Sequence, residues 1–333
     1  MTGLVAGAPM TGTVAAVVIG RNEGDRLQRC LASLSGACER IVYVDSGSSD
    51  RSVAMARAMG TIVVELDTAS PFTAARARNA GFDALRPGGL TDHVQFVDGD
   101  CWVEPGWIAA AVAALDQQPQ IGIITGWRTE IAPHRNIFHR MSEVEWHRPA
   151  GDIASCGGDM MVRSTTFAQL DGFRPRIIAS EDEEFCLRMR ALGPRVHRLP
   201  RLMTRHDADM DRLAQWWRRT VRSGHGFAEV GGLHPVHFVA ERRRVWFYGG
   251  LCPAVLLAGL VTGVWPVVAL SVAAYALNWL RTAQGLLQSG QPRGHAAHMA
   301  ALLTLSKIAN MQGMLTYYLR RWRGADMQII EYK

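Results

Sequence analysis

No glycine-rich phosphate loop of the G-x-G-x-x-G or G-x-x-x-x-G-K-[ST] kind follows any apolar run in this sequence, so a nicotinamide dehydrogenase and a P-loop ATPase both fit poorly. A G-x-S-x-G elbow and an H-E-x-x-H pair are missing too, which removes the serine-hydrolase and zinc-protease readings. The six cysteines (Cys30, Cys38, Cys101, Cys156, Cys186 and Cys252) show no C-x-x-C or finger-like spacing. They read as buried thiols in a reducing compartment, not as a structural metal site. The apolar N-terminus has no basic leader, so its end reads as a first strand and not as a signal peptide.

Charge is the next scarce commodity. Val245 to Leu280 is 36 residues without a formal charge. Residues 1–200 carry 20 basic and 23 acidic side chains, residues 201–245 carry nine Arg against five acids, and residues 281–333 carry seven basic against two. The net +6 therefore lies downstream of residue 200, on both sides of the uncharged stretch. Such a balance suits an anionic partner. Because the basic excess is joined to apolar, Trp-bearing helices with no aromatic-basic module, nucleic acid is not expected as that partner.

The first 200 residues alternate between apolar strands and helices. Strand patterns at 13–19, 40–45, 61–66 and 93–98 are interleaved with helical spacing at 25–34, 52–60 and 72–85. A helix at 108–115, a strand at 121–127, an irregular loop or broken helix at 130–155 with Trp146 and several His and Arg, a strand within 155–164 and helices at 165–173 and 179–193 follow. This alternation predicts an α/β fold with a mostly parallel central sheet covered on both faces. In such sheets ligands sit beyond the carboxyl ends of the strands. That is where the chain places Arg21-Asn22-Glu23, Asp45-Ser46-Gly47 and Asp98-Gly99-Asp100.

Two carboxylates two positions apart at a strand exit can grip a metal or merely build a tight polar turn. If the ligand is a nucleotide diphosphate, its charge must be neutralised before its distal group leaves, and Mg2+ or Mn2+ held by carboxylates does this. Asp100 can reach such an ion, while Asp98 can touch it through water or hold a ribose. The oxygen-rich donor set argues against zinc. Glu181 and Asp182 open a helix, where acids meet free N–H groups. Asp182 either caps that helix or takes the proton from an incoming hydroxyl, and Glu183 and Glu184 read as surface charges.

The order of the motifs resembles the family 2 glycosyltransferases of the GT-A fold. VVIGRNEGDRLQRCLASL (17–34), YVDSGSSDRS (43–52), AARARNAG (74–81), FVDGDC (96–101), GGDMMVRSTTFAQLDGF (157–173) and SEDEEFCLRMR (180–190) each resemble a segment of the family and follow one another in its order. The resemblance implies inverting transfer of a sugar from a UDP- or GDP-type donor with Mg2+ or Mn2+. It implies that Asn22, Glu23 and Asp45 line the nucleoside pocket and that Arg76 or Arg78 holds base or phosphate. Asp98 would meet ribose or metal, Asp100 would bind metal, Asp182 would be the general base, and Gly157-Gly158 would let the backbone run close to the donor sugar. The chain departs from the family at Ser46, where Asp is usual, and at Asp159, where Asn or a neutral residue is usual. RHDADM (205–210) and QWWRRTVRSG (215–224) resemble the closing region, which implies metal or diphosphate support from His206 and places Gln215 and Arg218 by the donor and acceptor. Arg219 replaces the Trp of the processive QxxRW signature.

Domain boundaries are expected at 12–205 for the catalytic domain, 206–244 for basic connecting helices, and 245–333 for a membrane-associated region. The uncharged stretch, broken near 262–266, forms a hairpin or re-entrant pair over 245–280, with an interfacial helix at 296–319. Arg242–Arg244 and Arg281 put both ends on the cytoplasmic face of an inner membrane. The expected partners are membrane lipids and a lipid-linked or glycan acceptor, with self-association left open. Two rivals stand beside the transferase: a nucleotidyltransferase-like enzyme, which would release pyrophosphate, and a catalytically silent scaffold.

Overall fold

β-Branched and small apolar residues fill β1 (Val14–Gly20), six of whose seven residues are buried. The helix that follows, α1 (Asp25–Leu34), turns Leu27, Cys30, Leu31 and Leu34 onto the sheet at helical spacing. The same unit repeats in β2 (Arg40–Asp45), α2 (Ser52–Ala58) and β3 (Ile62–Glu65), then in α3 (Ala74–Leu85) and β4 (His93–Asp98). The computed structural model describes residues 12–67 and 69–331. The reading of the first eleven residues lies outside them.

Crossover helices force neighbouring strands to run parallel, and β1, β2, β3 and β4 do so. The rest of the sheet departs from the mostly parallel arrangement expected. It is built by β5 (Cys101–Val103), β6 (Ile121–Glu130) after α4 (Trp107–Gln117), β7 (Gly151–Ile153) after α5 (Ile137–Trp146), β8 (Met160–Arg163) and β9 (Arg195–His206) after α6 (Ser164–Gln169) and α7 (Glu181–Ala191). The order is β3-β2-β1-β4-β8-β6-β9-β5, with β7 beside β9. β4–β8, β6–β8, β5–β9 and β7–β9 are antiparallel, and only β6–β9 adds a parallel pair, so the sheet is mixed.

One compact unit comprises the chain up to Pro133 together with Ser142–Arg176 and Glu181–Ala208. Its sheet separates two apolar layers. One is centred on Phe82, Phe96, Phe167, Phe173 and Phe185, the other on Leu27, Leu31, Trp107 and Leu115. Close approach of α3 to the sheet requires Gly81, where a Cβ would come within 2.3 Å of Val17.

The other unit takes His134–Met141, Ile177–Ser180 and the chain from Asp209 onward. Its helices are α8 (Leu213–Leu233), α9 (Val239–Val245), a π-helical stretch at Trp246–Leu251 continuing into α10 (Cys252–Thr262), α11 (Trp265–Gln288) and α12 (Arg293–Trp322). Gly263, at a φ of 71°, makes the left-handed turn between α10 and α11. The break expected near 262–266 is therefore present, and the second limb extends to Gln288. α12 packs on α8 so closely that a Cβ at Gly313 would lie 1.9 Å from the Val221 carbonyl oxygen, and one at Gly224 2.1 Å from that of Asn310.

Replacing Gly313 by Leu forces the α8 and α12 backbones apart. The expected cost is about 3 kcal/mol, seen as a lower thermal unfolding midpoint in detergent. An unchanged midpoint would show that the crossing is looser than described.

Candidate functional site

The nucleoside side of the sheet edge is built by two loops stitched together. Asn22 sits at a φ of 57°. Its backbone N–H donates to Ser48 Oγ and its side-chain oxygen accepts from the Ser49 N–H, both at 2.8 Å. Asp45 is 2% exposed. Its carboxylate accepts from the Tyr43 hydroxyl and from the Gly47 and Ser48 N–H groups, so it shapes the β2 exit turn as an Asx turn. The Asp45 side chain pushes the Tyr43 hydroxyl upward, after burial, by disfavouring a second charge. Glu23 pairs with Arg26 at 3.0 Å.

Asp98 and Asp100 flank Gly99 in the turn from β4 to β5. A side chain at 99 would press on the Ile19 carbonyl at 3.1 Å and on Glu23 at 3.2 Å. The two carboxylates then part company. Asp98 gives Oδ1 to Arg78 at 2.8 Å and Oδ2 to Arg128 at 3.4 Å. Burial opposes its charge, but the two guanidinium groups outweigh that and hold it below the usual carboxylate range. Asp100 instead faces His206, with Oδ2 at 3.3 Å from Nε2.

His206 reaches Asp100 because β9 pairs antiparallel with β5, setting Cys101 opposite it. The parallel β6 sets Glu130 beside it, and His206 Nδ1 lies 2.6 Å from Glu130 Oε1. Burial pulls the imidazole down, yet Asp100 and Glu130 together carry its pKa above the ordinary value. A carboxylate on Nδ1 holds the ring so that Nε2, facing Asp100, could serve a cation, an arrangement common to histidine metal ligands. Asp100, Cys101 and His206 place their donor atoms within 4.8 Å of one another. Burial pushes the Cys101 thiol well up, and the hard donors of the group are the Asp100 oxygen and the His206 nitrogen. That set suits Mg2+ or Mn2+, with phosphate oxygens completing the shell.

Arg78, 3% exposed, spans the site. One guanidinium nitrogen holds Asp98 at 2.8 Å and the other holds Glu181 at 2.7 Å. Gly158 makes room for it, since a Cβ there would lie 2.0 Å from Arg78 Nη2. Gly157 is exposed, and a Cβ there would come 3.9 Å from Asp182 Oδ2. Asp182 stands in the first turn of α7, where Oδ1 accepts from the Glu183 N–H at 2.8 Å. Burial, with Glu181 next to it, pushes its carboxyl up to about 7.

Asn22, Glu23, Asp45, Arg78, Asp98, Asp100, Gly157, Gly158, Asp182 and His206 thus lie in one unit. Arg76 is occupied with the carbonyls of Asp67, Ser70 and Pro71 and clamps the loop before α3. Arg218 is exposed on α8 of the other unit. Glu184 corrects an expectation: it is fully buried, pairing with Arg188 at 2.9 Å and Arg174 at 2.8 Å, while Leu192 is exposed. Glu130 and Arg128 carried no signal in the sequence, and Trp146 stood out only as part of an irregular loop or broken helix. Each enters through strand pairing or through a helix in a stretch that shows no periodicity.

Comparisons with known proteins follow the same lines. Residues 15–170 match the family described as glycosyl transferase family 2. Over 277 residues the chain is 25% identical to the pre-mycofactocin glycosyltransferase of Mycobacterium tuberculosis, covering 78% of this chain and 55% of that one. Over 142 residues it is 39% identical to a TPR repeat-containing protein of Synechococcus elongatus, covering 41% of this chain and 32% of that one. The chain therefore spans about half the length, or less, of the curated relatives it matches. In structure it is similar to the mannosyltransferase PcManGT from Pyrobaculum calidifontis, solved with GDP-Man and Mn2+ (TM-score 0.62, 15% identity, 92% of this chain and 87% of that one). It is also similar to residues 1–349 of TarS from S. aureus (TM-score 0.50, 14% identity, 92% and 91% covered). The sheet-bearing part of the chain is thus similar to glycosyl transferase family 2 in sequence, and the chain shares its fold with solved glycosyltransferases.

Proposed function

We propose that the protein transfers one sugar, with inversion, from a nucleotide-diphosphate donor to a membrane-associated acceptor, either lipid-linked or a glycan. The observation that carries this reading is the single guanidinium of Arg78 between Asp98 and Glu181. It ties the turn bearing Asp100 to the helix turn bearing Asp182, so a cation-binding group and a base of raised pKa share one sheet edge.

On this reading the stitched loops around Asn22, Glu23 and Asp45 receive the nucleoside. Asp98, both of whose oxygens already meet guanidinium groups, accepts from a ribose hydroxyl instead of binding metal directly. A divalent cation at Asp100 and His206 would supply positive charge to the departing diphosphate. Asp182 takes the proton of the acceptor hydroxyl while that oxygen attacks the anomeric carbon from the face opposite the diphosphate. One displacement inverts the centre. A donor with a GDP base is the first to try, UDP sugars next.

Membrane attachment is part of the same reading. Among the described residues, Val239–Thr262 is the one helix long and apolar enough to cross a bilayer, with a mean hydropathy of 1.7 and 22% of its apolar window buried. Leu257, Val261, Trp265 and Leu270 are 63%, 77%, 68% and 73% exposed. Arg243 and Arg244 are exposed just ahead of them, where anionic headgroups would lie. The hairpin of α10 and α11 would anchor the chain at the cytoplasmic face of a cell membrane.

Three outcomes test the proposal. The acid limb of the kcat/KM profile should rise through a pH of about 7, because Asp182 accepts a proton only once ionised. Asp182→Asn should remove that limb and lower turnover by roughly 10²–10⁴-fold, and a variant retaining full activity rejects the base. Chelation with EDTA should abolish transfer, and Glu130→Gln should weaken Mn2+ binding by about 10–100-fold in calorimetry. Persistence of transfer in excess EDTA, or release of pyrophosphate, would refute the metal-assisted displacement. Arg placed together at Leu257, Val261 and Leu270 should shift the protein from the membrane to the soluble fraction, each charge costing about 2.5–3.5 kcal/mol at a bilayer centre. Unaltered sedimentation with membranes would contradict the anchor.

A further inference from the structure

Asp159 stands where the resembling family usually has a neutral residue, and its surroundings show what that change requires. The side chain is 1% exposed and ionic, held on three sides. Oδ1 accepts from the Asp98 backbone N–H at 3.0 Å, and Oδ2 accepts from Thr204 Oγ1 at 2.9 Å. Arg128 Nη2 lies 2.7 Å from the same Oδ2. That nitrogen also lies 3.4 Å from Asp98 Oδ2, and the guanidinium stacks over the Trp146 ring at 5.1 Å. Trp146 in turn meets the His206 ring edge-on at 4.9 Å.

Asp98 is therefore gripped twice by one ion pair: its backbone by Asp159, its side chain by Arg128. Arg78 fixes the other carboxylate oxygen. Two guanidinium groups on opposite oxygens, Arg78 Nη2 on Oδ1 and Arg128 Nη2 on Oδ2, leave the Asp98 carboxylate a single orientation. We infer that Arg128, anchored by Asp159, is the positioning residue that orients Asp98 toward the nucleotide donor. This rests on the donor site proposed above. It predicts that the pair does more than neutralise a buried charge, because Arg128 touches the very carboxylate that the donor is to meet.

The test separates orientation from charge balance. Arg128→Met alone strands Asp159 as a buried anion and would unfold the region, so the informative variant is the double Arg128→Met/Asp159→Asn, which keeps the local charge unchanged. Calorimetry with the full chain reads Mn2+ alone, then GDP and UDP in the presence of Mn2+. The expected result is Mn2+ affinity within about twofold of the unaltered chain and nucleoside diphosphate affinity lowered about tenfold, with Asp98 now held on one oxygen. Thr204→Val, which disturbs Asp159 but leaves the Arg128–Asp98 contact, should lower nucleotide affinity less than threefold. Nucleotide affinity unchanged in the double variant would make the pair purely structural and overturn the inference, as would loss of Mn2+ binding in the double variant or a tenfold loss in Thr204→Val. Should the unaltered chain bind Mn2+ but neither nucleotide, the donor site itself falls, and with it the role given to Arg128.

Discussion

The buried guanidinium of Arg78 holds together three elements that are far apart in the chain. Through Asp98 it fixes the end of β4, through Glu181 the start of α7, and its own helix α3 packs on β1 through the close approach at Gly81. A cation almost wholly removed from water is tolerable only when its partners are fully charged and well placed. Both ion pairs must therefore form for Arg78 to be buried there. Burial, and then the adjacent Glu181, raises the neighbouring Asp182 carboxyl to about 7.

The cation-binding pair follows from a different constraint, strand register. Asp100 lies at the start of a three-residue strand and His206 at the end of a twelve-residue one, and neither has any local reason to find the other. Antiparallel pairing of β5 with β9 places them together, and parallel pairing of β6 with β9 adds Glu130 behind the imidazole. A one-residue slip would turn these side chains to opposite faces of the sheet. The mixed sheet is thus what brings a histidine to the aspartate turn, and a wholly parallel sheet of the kind read from the first strands would not have done so.

The helical unit obeys packing rules of its own. Small residues at Gly224, Gly249 and Gly313 let backbones approach each other until carbonyls occupy the space a side chain would need. That close packing buries one stripe of α12, including Ala296, Met299, Ala300, Ala309, Gly313, Met314 and Tyr317, and leaves the outward side chains of α10 and α11 apolar and exposed. Apolar surface of that extent is uncommon on a protein that meets only water, which is why a bilayer enters the functional reading.

Much of the first unit was legible in advance because its signals are local. The segments 25–34, 40–45 and 93–98 coincide with α1, β2 and β4, since apolar periodicity and Asp or Gly punctuation depend only on near neighbours. The turn residues Asn22, Asp45, Asp98 and Asp100 stood out for the same reason. The strand β9 carried no such pattern; the fold shows how it brings His206, already marked in the sequence, beside Asp100, and it adds Thr204 and the support of Glu130. Arg76 and Arg78 looked equivalent in AARARNAG, yet helix geometry turns Arg78 into the site and Arg76 onto the carbonyls of its own approach loop. By itself the sequence determined the strands and helices that carry apolar periodicity and which carboxylates stand at strand exits, because those depend on residues a few positions apart. Tertiary structure alone decided which charge meets which, since burial and pairing across the sheet are set by residues that the chain keeps far apart.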